Sequence, residues 1–114
     1  MCGVSGIVSF EAPLGEDKVR MVSAMTVALR HRGPDGQGLY TSACRRASFG
    51  HRMLSIVDVG NSPQPLVEST PEGDVILTFN GEIYNHSAIR ADLEAEGHQF
   101  ITHGDTEVLL RAYL

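Results

Sequence analysis

The sequence predicts an α+β domain, in which short strands of β-forming residues are interspersed with amphipathic helices. The chain has 114 residues and a hydrophobic fraction of 42%, which is enough for the core of one domain. Two observations carry the prediction. Apolar residues spaced by three and four positions mark helical stretches, and short runs of β-formers bounded by Gly, Pro and Asn mark strands.

The first half of the chain predicts a strand, a helix and two further strands. Residues 4–10 are rich in β-formers and predict the first strand. Residues 16–30 predict an amphipathic helix, because apolar residues recur there at helical spacing and acidic residues occupy its first turn. Residues 38–41 and 47–54 predict two strands of a meander, joined by a polar loop that contains Cys44.

The middle of the chain predicts irregular connections and one buried strand. We expect a long loop over residues 60–65 and a turn over residues 68–74, because Gly, Pro, Asn and Ser cluster there. Residues 75–79 are a continuous run dominated by β-formers and predict a buried strand.

The last third of the chain predicts two helices. Residues 86–96 predict a helix that Gly97 stops as its C′ residue. A short strand is expected over residues 100–101. Asp105 or Thr106 then caps a final helix.

Composition and charge exclude several classes of function. Nine Lys and Arg against 14 Asp and Glu give a net charge of −5, whereas a nucleic-acid footprint needs clustered cations. No apolar run reaches the length that spans a bilayer, and the acidic N-terminal region does not resemble a signal peptide. Two cysteines make no disulfide framework, and no Cys/His spacing fits zinc. We therefore expect a cytoplasmic protein with no metal site, nucleic-acid partner or membrane contact.

Cys2, which follows Met1, is the first candidate for chemistry. Removal of Met1 is routine when a small residue follows it, and it would give Cys2 a free α-amine beside its thiol. An α-amine has an ordinary pKa of about 7.7–8.0, close to the pH at which a general base works best. The amine could then activate the thiol of its own residue as a nucleophile. Since a cysteine at position 2 also arises by chance, its meaning depends on the other motifs.

Asn80-Gly81-Glu82 and Asp105 each have two interpretations. Asn-Gly is the strongest short-range signal for a hairpin turn, a role that needs no chemistry. Alternatively, the Asn80 side-chain amide and the Gly81 backbone N–H are two neutral donors for the oxyanion of a tetrahedral intermediate. Asp105 is either the N-cap of the last helix or the anchor of a substrate ammonium group.

Six motifs follow one another along the chain. They are Cys2-Gly3, residues 31–36 (HRGPDG), residues 54–58 (LSIVD), Gln64-Pro65, residues 80–85 (NGEIYN) and residues 105–107 (DTE). In this order they resemble class II glutamine amidotransferases, most of all the N-terminal glutaminase domain of glutamine-hydrolysing asparagine synthetase. The resemblance implies the N-terminal-nucleophile hydrolase fold, a four-layer αββα sandwich. Residues 1–114 would hold the N-terminal part of this type 2 amidotransferase domain.

The resemblance also implies a role for each site residue. Cys2 would attack the side-chain amide of L-glutamine and form a γ-glutamyl thioester, its α-amine would pass the proton to the departing ammonia, and water would release glutamate. Asn80 and Gly81 would form the oxyanion hole. The other glutamine contacts would come from Ile56, Val57, Glu82 and Asp105.

The family places a second catalytic domain after the glutaminase domain. The resemblance implies that ammonia passes to this C-terminal synthetase domain, where ATP and Mg would activate a carboxylate as an acyl-adenylate. No cofactor is expected in these 114 residues, which lack the Ser-Gly-Gly pyrophosphate loop of that domain. The family also allows a homodimer. Because the last helical pattern still continues at Leu114, we expect a longer parent protein.

Met53 departs from the family pattern. Members of the family usually carry an Arg two residues before the Ser-Ile-Val-Asp string, where it binds the α-carboxylate of glutamine. Arg52 does not replace it automatically, because successive side chains of a strand point to opposite faces. A second interpretation is therefore a catalytically impaired, glutaminase-like scaffold in an ammonia-using or β-lactam-synthetase-like ligase. A free-standing interaction module ranks third, because its half-built sheets would expose their edges.

Overall fold

A computed structural model describes residues 2–54 and 63–114, which form five strands and three α-helices. The strands are β1 (Gly3–Val8), β2 (Gly36–Thr41), β3 (Ala47–Met53), β4 (Leu66–Thr70) and β5 (Gly73–Leu77). The helices are α1 (Glu16–Ala28), α2 (His86–Ala95) and α3 (Asp105–Tyr113), and a 3₁₀ helix over Leu29–His31 extends α1. All strand pairs are antiparallel. The α+β prediction is confirmed, and the two antiparallel sheets with their helices agree with the N-terminal part of the predicted αββα sandwich.

The first sheet has the strand order β1-β3-β2. Gly3 stands opposite Arg52, and Gly36 stands opposite Met53. One face of this sheet packs against α1, whose Val22 and Thr26 are fully buried. A Cβ on Gly50 would lie 1.8 Å from Thr26 Oγ1, so the helix approaches the sheet closely only because this position has no side chain.

The opposite face of the first sheet, which we call the inner face, carries Phe49, His51 and Met53. The second sheet, β4-β5, is joined to this face, since His51 Nδ1 lies 2.9 Å from Thr78 Oγ1 directly after β5. The chain that enters β4 lies on β2, where a Cβ on Gly38 would fall 1.7 Å from the Gln64 carbonyl oxygen. The inner face is therefore the layer in which the two sheets meet.

Helix α3 is anchored to the second sheet and to α2. Arg111 forms an ion pair of 2.9 Å with Glu68 in β4, and α2 packs along α3. The apolar side of α3 is buried at Val108 and Leu110. These contacts hold α3 against β4 and α2.

Some predicted elements are wrong. The strand expected to be buried over residues 75–79 is β5 (Gly73–Leu77), whose residues are half-buried or exposed. Residues 68–74 contain the end of β4 and the start of β5 instead of only a turn, and half-buried and exposed residues alternate along β4 as in a partly exposed strand. Residues 100–101 form no strand, since the Ile101 amide donates to the Glu107 carboxylate instead of to a neighbouring strand. Gly97 does end α2 as predicted, with a φ of +99° that favours glycine.

Candidate active site

Cys2 lies at the N-terminal end of β1 with a half-buried side chain. The Leu54 backbone N–H donates to its Sγ over 3.4 Å. Arg32 Nε donates to the Cys2 carbonyl oxygen over 3.3 Å. Extending the β1–β3 register by one residue places Cys2 beside Met53. The thiol is thus held at the end of the sheet while part of it stays open to solvent.

The turn over residues 31–36 closes around the end of β3. A Cβ on Gly33 would lie 2.4 Å from the carbonyl carbon of Arg52, so this close approach requires glycine. The Asp35 N–H donates to the Met53 carbonyl oxygen over 2.9 Å. The HRGPDG motif therefore has a structural reason, since it fixes the strand end that lies next to Cys2.

Arg52 points away from the inner face and is fully engaged in the fold. It is 8% exposed, its Nε donates to Gly33 O over 2.8 Å, and its guanidinium donates to Gln37 Oε1 over 2.9 Å. The prediction that Arg52 faces away from the side chain of Met53 is confirmed. Met53 itself is half-buried and offers no charge and no strong hydrogen bond.

A cleft of about 790 Å³ opens beside Met53, between β2 and residues 63–65. His51 lines this cleft and is only 1% exposed. Burial lowers the pKa of its imidazole below the ordinary value, so the ring is neutral at neutral pH. Its Nε2 has no hydrogen-bond partner among the described residues. The other lining residues include Asp35, Gly36, Gly38, Gln64 and Pro65.

Asn80-Gly81-Glu82 is an exposed, irregular connection from β5 towards α2, and no strand follows it in the described chain. The hairpin interpretation is therefore wrong. At one side of the tripeptide, Phe79 N–H donates to Gln64 Oε1 over 2.6 Å. At the other side, Ile83 N–H donates to Asp105 Oδ2 over 2.9 Å. Tertiary hydrogen bonds replace the ladder that a hairpin would have supplied.

Asp105 is the first residue of α3, and it does not cap the helix. Gly104 occupies the N-cap position, and no side chain makes a capping bond there. Because Asp105 Oδ2 accepts the Ile83 N–H, the carboxylate lies next to the connection that carries Asn80 and Gly81. Its Oδ1 has no hydrogen-bond partner in the part of the chain described.

The structure brings some of the predicted site residues together and leaves others apart. Asp105 and the tripeptide share a hydrogen-bonded neighbourhood, whereas no hydrogen bond within residues 2–54 and 63–114 joins Cys2 to either. The His51–Thr78 contact does link the strand beside Cys2 to a residue just before Asn80. Glu82 is exposed. Ile56 and Val57 lie outside the described residues.

Sequence reasoning missed the side chains that hold the loop before α3. Glu107 is 3% exposed and accepts hydrogen bonds from the backbone N–H groups of Ile101 and Thr102 and from the Thr102 hydroxyl. Arg90 donates to Thr102 O over 2.9 Å and stacks over the ring of Phe100 at 4.2 Å. The acid of the DTE motif was visible in the sequence, but its loop partners become neighbours only in the fold.

The pKa of Glu107 gives a testable pH dependence. Burial raises this pKa, but the hydrogen bonds from Ile101 and Thr102 and the charge of Arg111 lower it by more, so it lies below its ordinary value of 4.5. The stabilisation that the ionised Glu107 carboxylate gives to the folded state is therefore complete above about pH 5, and it is lost as the pH falls through the folded-state pKa of Glu107.

Glu107→Gln is expected to loosen this loop, because an amide cannot accept all of these hydrogen bonds. The loss of a charge-assisted bond of about 1.5–3 kcal/mol should lower the amide protection of residues 101–102 roughly ten- to a hundredfold at neutral pH. Amide hydrogen exchange measures it, with Glu94→Gln on the exposed side of α2 as control. The assignment is contradicted if the amide protection of residues 101–102 is unchanged in Glu107→Gln. It is also contradicted if the wild-type protein and Glu107→Gln lose this protection equally as the pH falls.

Metal-binding clusters and membrane-spanning helices are both absent from the described residues. No three or more His, Cys, Asp or Glu side chains among them are grouped so that they could hold a metal ion. The helices of the described ranges are all too short or too polar to cross a bilayer.

The sequence profile of the glutamine amidotransferase domain family matches residues 1–114. The chain belongs to this family, and the predicted resemblance is confirmed. Similar proteins include two glutamine-hydrolysing asparagine synthetases of Bacillus subtilis (strain 168). Number 3 is 40% identical over 100% of this chain, and number 1 is 42% identical over 99%. Asparagine synthetase B of Escherichia coli (strain K12), also named glutamine-hydrolysing, is 38% identical over 99% of the chain. The chain spans only 17–19% of the length of these relatives.

Proposed function

We propose that this chain is the glutamine-hydrolysing part of an ATP-dependent, asparagine synthetase-like amidotransferase, with Cys2 as its nucleophile. The observation that carries the proposal is the placement of Cys2. Its thiol is partly open at the end of β1, where Leu54 N–H and Arg32 fix the residue from two sides. The names of the similar proteins support glutamine as the substrate.

The reaction begins after removal of Met1, when the Cys2 α-amine takes the thiol proton. Sγ attacks the side-chain carbonyl carbon of glutamine, and the resulting oxyanion accepts hydrogen bonds from the Asn80 amide and the Gly81 N–H. Losing one such donor typically costs about 2.7–4 kcal/mol of transition-state stabilisation. The C–N bond then breaks, the amine returns the proton to the leaving ammonia, and water hydrolyses the thioester to glutamate.

Asp105 binds the α-ammonium group of glutamine in this proposal. Oδ2 is held by the Ile83 N–H, and Oδ1 faces no partner within the described ranges. One oxygen therefore fixes the carboxylate while the other is available to a cation. Glu82 adds a second carboxylate nearby, and Ile56 and Val57 complete the glutamine contacts.

The ammonia is consumed by a synthetase domain that follows this chain in the parent protein. The small share of each relative's length that the chain covers supports this arrangement. ATP and Mg act in that domain, and aspartate is the acceptor that the relatives' names favour. We place the reaction in the cytoplasm, where Cys2 and Cys44 would stay as the free thiols described.

A second candidate function is a glutaminase-like scaffold that no longer hydrolyses glutamine. The specific observation in its favour is Met53 on the inner face, combined with Arg52, whose guanidinium is already bound by Gly33 and Gln37. The neighbouring synthetase would then use free ammonia or an intramolecular amine.

Isotope transfer in the full-length protein distinguishes the two functions. With amide-¹⁵N glutamine, aspartate, ATP and Mg, we expect one glutamate for each [¹⁵N]asparagine. Excess unlabelled ammonium should dilute the label little if ammonia is transferred internally. If asparagine forms only from added ammonium and no glutamate appears, the scaffold function is supported and glutamine hydrolysis is contradicted.

A further inference from the structure

The segment over residues 79–83, which contains the Asn80-Gly81 donors, is held at both ends by side-chain acceptors. Gln64 Oε1 accepts the Phe79 N–H over 2.6 Å, and Asp105 Oδ2 accepts the Ile83 N–H over 2.9 Å. Between these two points the chain is exposed and has no regular secondary structure. Its conformation therefore depends on these two hydrogen bonds, because no sheet ladder or helix supports it.

Both acceptor side chains are attached to the first turn of α3. Asp105 belongs to that turn, and Gln64 reaches it through its other amide atom, since Nε2 donates to Thr106 Oγ1 over 3.3 Å. Thr106 is 6% exposed, so its hydroxyl is a fixed point of the core. The Gln64 amide is thus a bridge whose NH₂ group is anchored on α3 and whose oxygen holds Phe79.

We propose that Gln64 is a positioning residue for the oxyanion donors. Within the described residues its side chain makes no hydrogen bond with Cys2 or with the tripeptide, but it fixes the backbone from which the Asn80 amide and the Gly81 N–H are presented. This inference rests on the proposed function, in which those donors stabilise the tetrahedral intermediate. It also gives the Gln64-Pro65 motif a role that its sequence did not reveal.

The bridge requires an acceptor and a donor on one planar group. An amide supplies both, whereas methionine at position 64 has similar length and no strong hydrogen bond. Donors displaced by about 1 Å lose on the order of a hundredfold in rate. Since the donors act on the transition state, kcat should fall and KM should not.

The test uses Gln64→Met and Thr106→Val in the full-length protein, with Thr106→Ser as the variant that keeps the hydroxyl. We expect kcat for glutamate release to fall roughly ten- to a hundredfold in Gln64→Met, with KM within about twofold. Thr106→Val should show a smaller loss, and Thr106→Ser should behave as wild type. Amide exchange in peptides spanning residues 79–83 should rise in step with these losses, while exchange in α1 stays unchanged and shows that the fold is intact.

Each outcome is decisive. Unchanged exchange over residues 79–83 in Gln64→Met and Thr106→Val overturns the bridge, and faster exchange with unchanged kcat overturns its role in positioning. If the wild-type protein releases no glutamate, the proposed function fails, and the exchange measurement still decides whether Gln64 holds the segment.

Discussion

Cys2→Ala is expected to abolish the release of glutamate from glutamine while ammonia-dependent amidation in the full-length protein continues. Alanine retains the backbone contacts of position 2 and its α-amine, but it has no atom that can attack the amide carbon. Loss of a catalytic nucleophile lowers turnover by on the order of 10⁴-fold or more. Two assays measure these activities separately. Glutamate release reports glutamine hydrolysis, and asparagine formation from ammonium chloride reports ammonia-dependent amidation.

Cys44→Ala is the matched control for this experiment. Cys44 is the other free thiol and is exposed in the turn between β2 and β3. A hydrogen bond with Ser42 and the nearby Arg46 lower the pKa of this thiol, and Cys44 has no role in the proposed site. Equal loss of glutaminase activity in both variants, or full activity in Cys2→Ala, contradicts Cys2 as the nucleophile.

Met53→Arg is expected to lower the KM for glutamine roughly ten- to a hundredfold. Met53 lines the open cleft beside Cys2 and supplies no partner for an α-carboxylate. A guanidinium there would add a charge-assisted hydrogen bond of about 1.5–3 kcal/mol, where about 1.4 kcal/mol corresponds to tenfold in affinity. Because the contact lies away from the scissile amide, kcat should change little.

Met53→Leu provides the comparison for Met53→Arg, since it keeps an apolar side chain of similar volume. Its kinetics should match those of the wild-type protein. Steady-state kinetics with glutamine resolve the difference in KM. A KM in Met53→Arg that equals the KM of Met53→Leu would sink the idea that the side chain at this position meets the substrate carboxylate.

Local patterns predicted the elements whose residues interact mainly with their own neighbours along the chain. The helical spacing of apolar residues over residues 16–30 predicted an amphipathic helix, and α1 buries Val22 and Thr26 fully. Strand alternation predicted that Arg52 would leave the face of Met53, and its contacts with Gly33 and Gln37 agree. These predictions needed only periodicity and the pleat of a strand.

Two of the predictions that failed concern backbone N–H groups that donate to side-chain acceptors. Asn80-Gly81 carries a strong hairpin signal, but Gln64 and Asp105 bind the flanking amides, and the chain continues into α2. The Ile101 amide likewise meets Glu107 instead of a strand. Such side-chain acceptors leave no periodic trace in a sequence, so the pattern alone predicted strands where tertiary hydrogen bonds prevail.

The residues of the candidate site also fall into those that the sequence predicted and those that only the fold revealed. Cys2, Asn80, Gly81, Glu82 and Asp105 were accessible from motifs, because each carries a chemical group of recognisable use. The supporting residues were not, since the amide of Gln64 and the carboxylate of Glu107 acquire their meaning from the segments they hold. Positions 56 and 57 lie outside the described chain, and their roles stay predictions.

Covalent labelling with a glutamine-mimicking diazoketone tests the central claim most directly. The reagent alkylates an activated thiol with loss of N₂, and mass spectrometry of the full-length protein locates the adduct. We predict stoichiometric modification of an N-terminal peptide that begins at Cys2, protection by excess glutamine, and no glutamine-sensitive label at Cys44. An unmodified Cys2, a retained Met1, or labelling of both cysteines that glutamine does not prevent would contradict the assignment of Cys2 as the thioester-forming nucleophile.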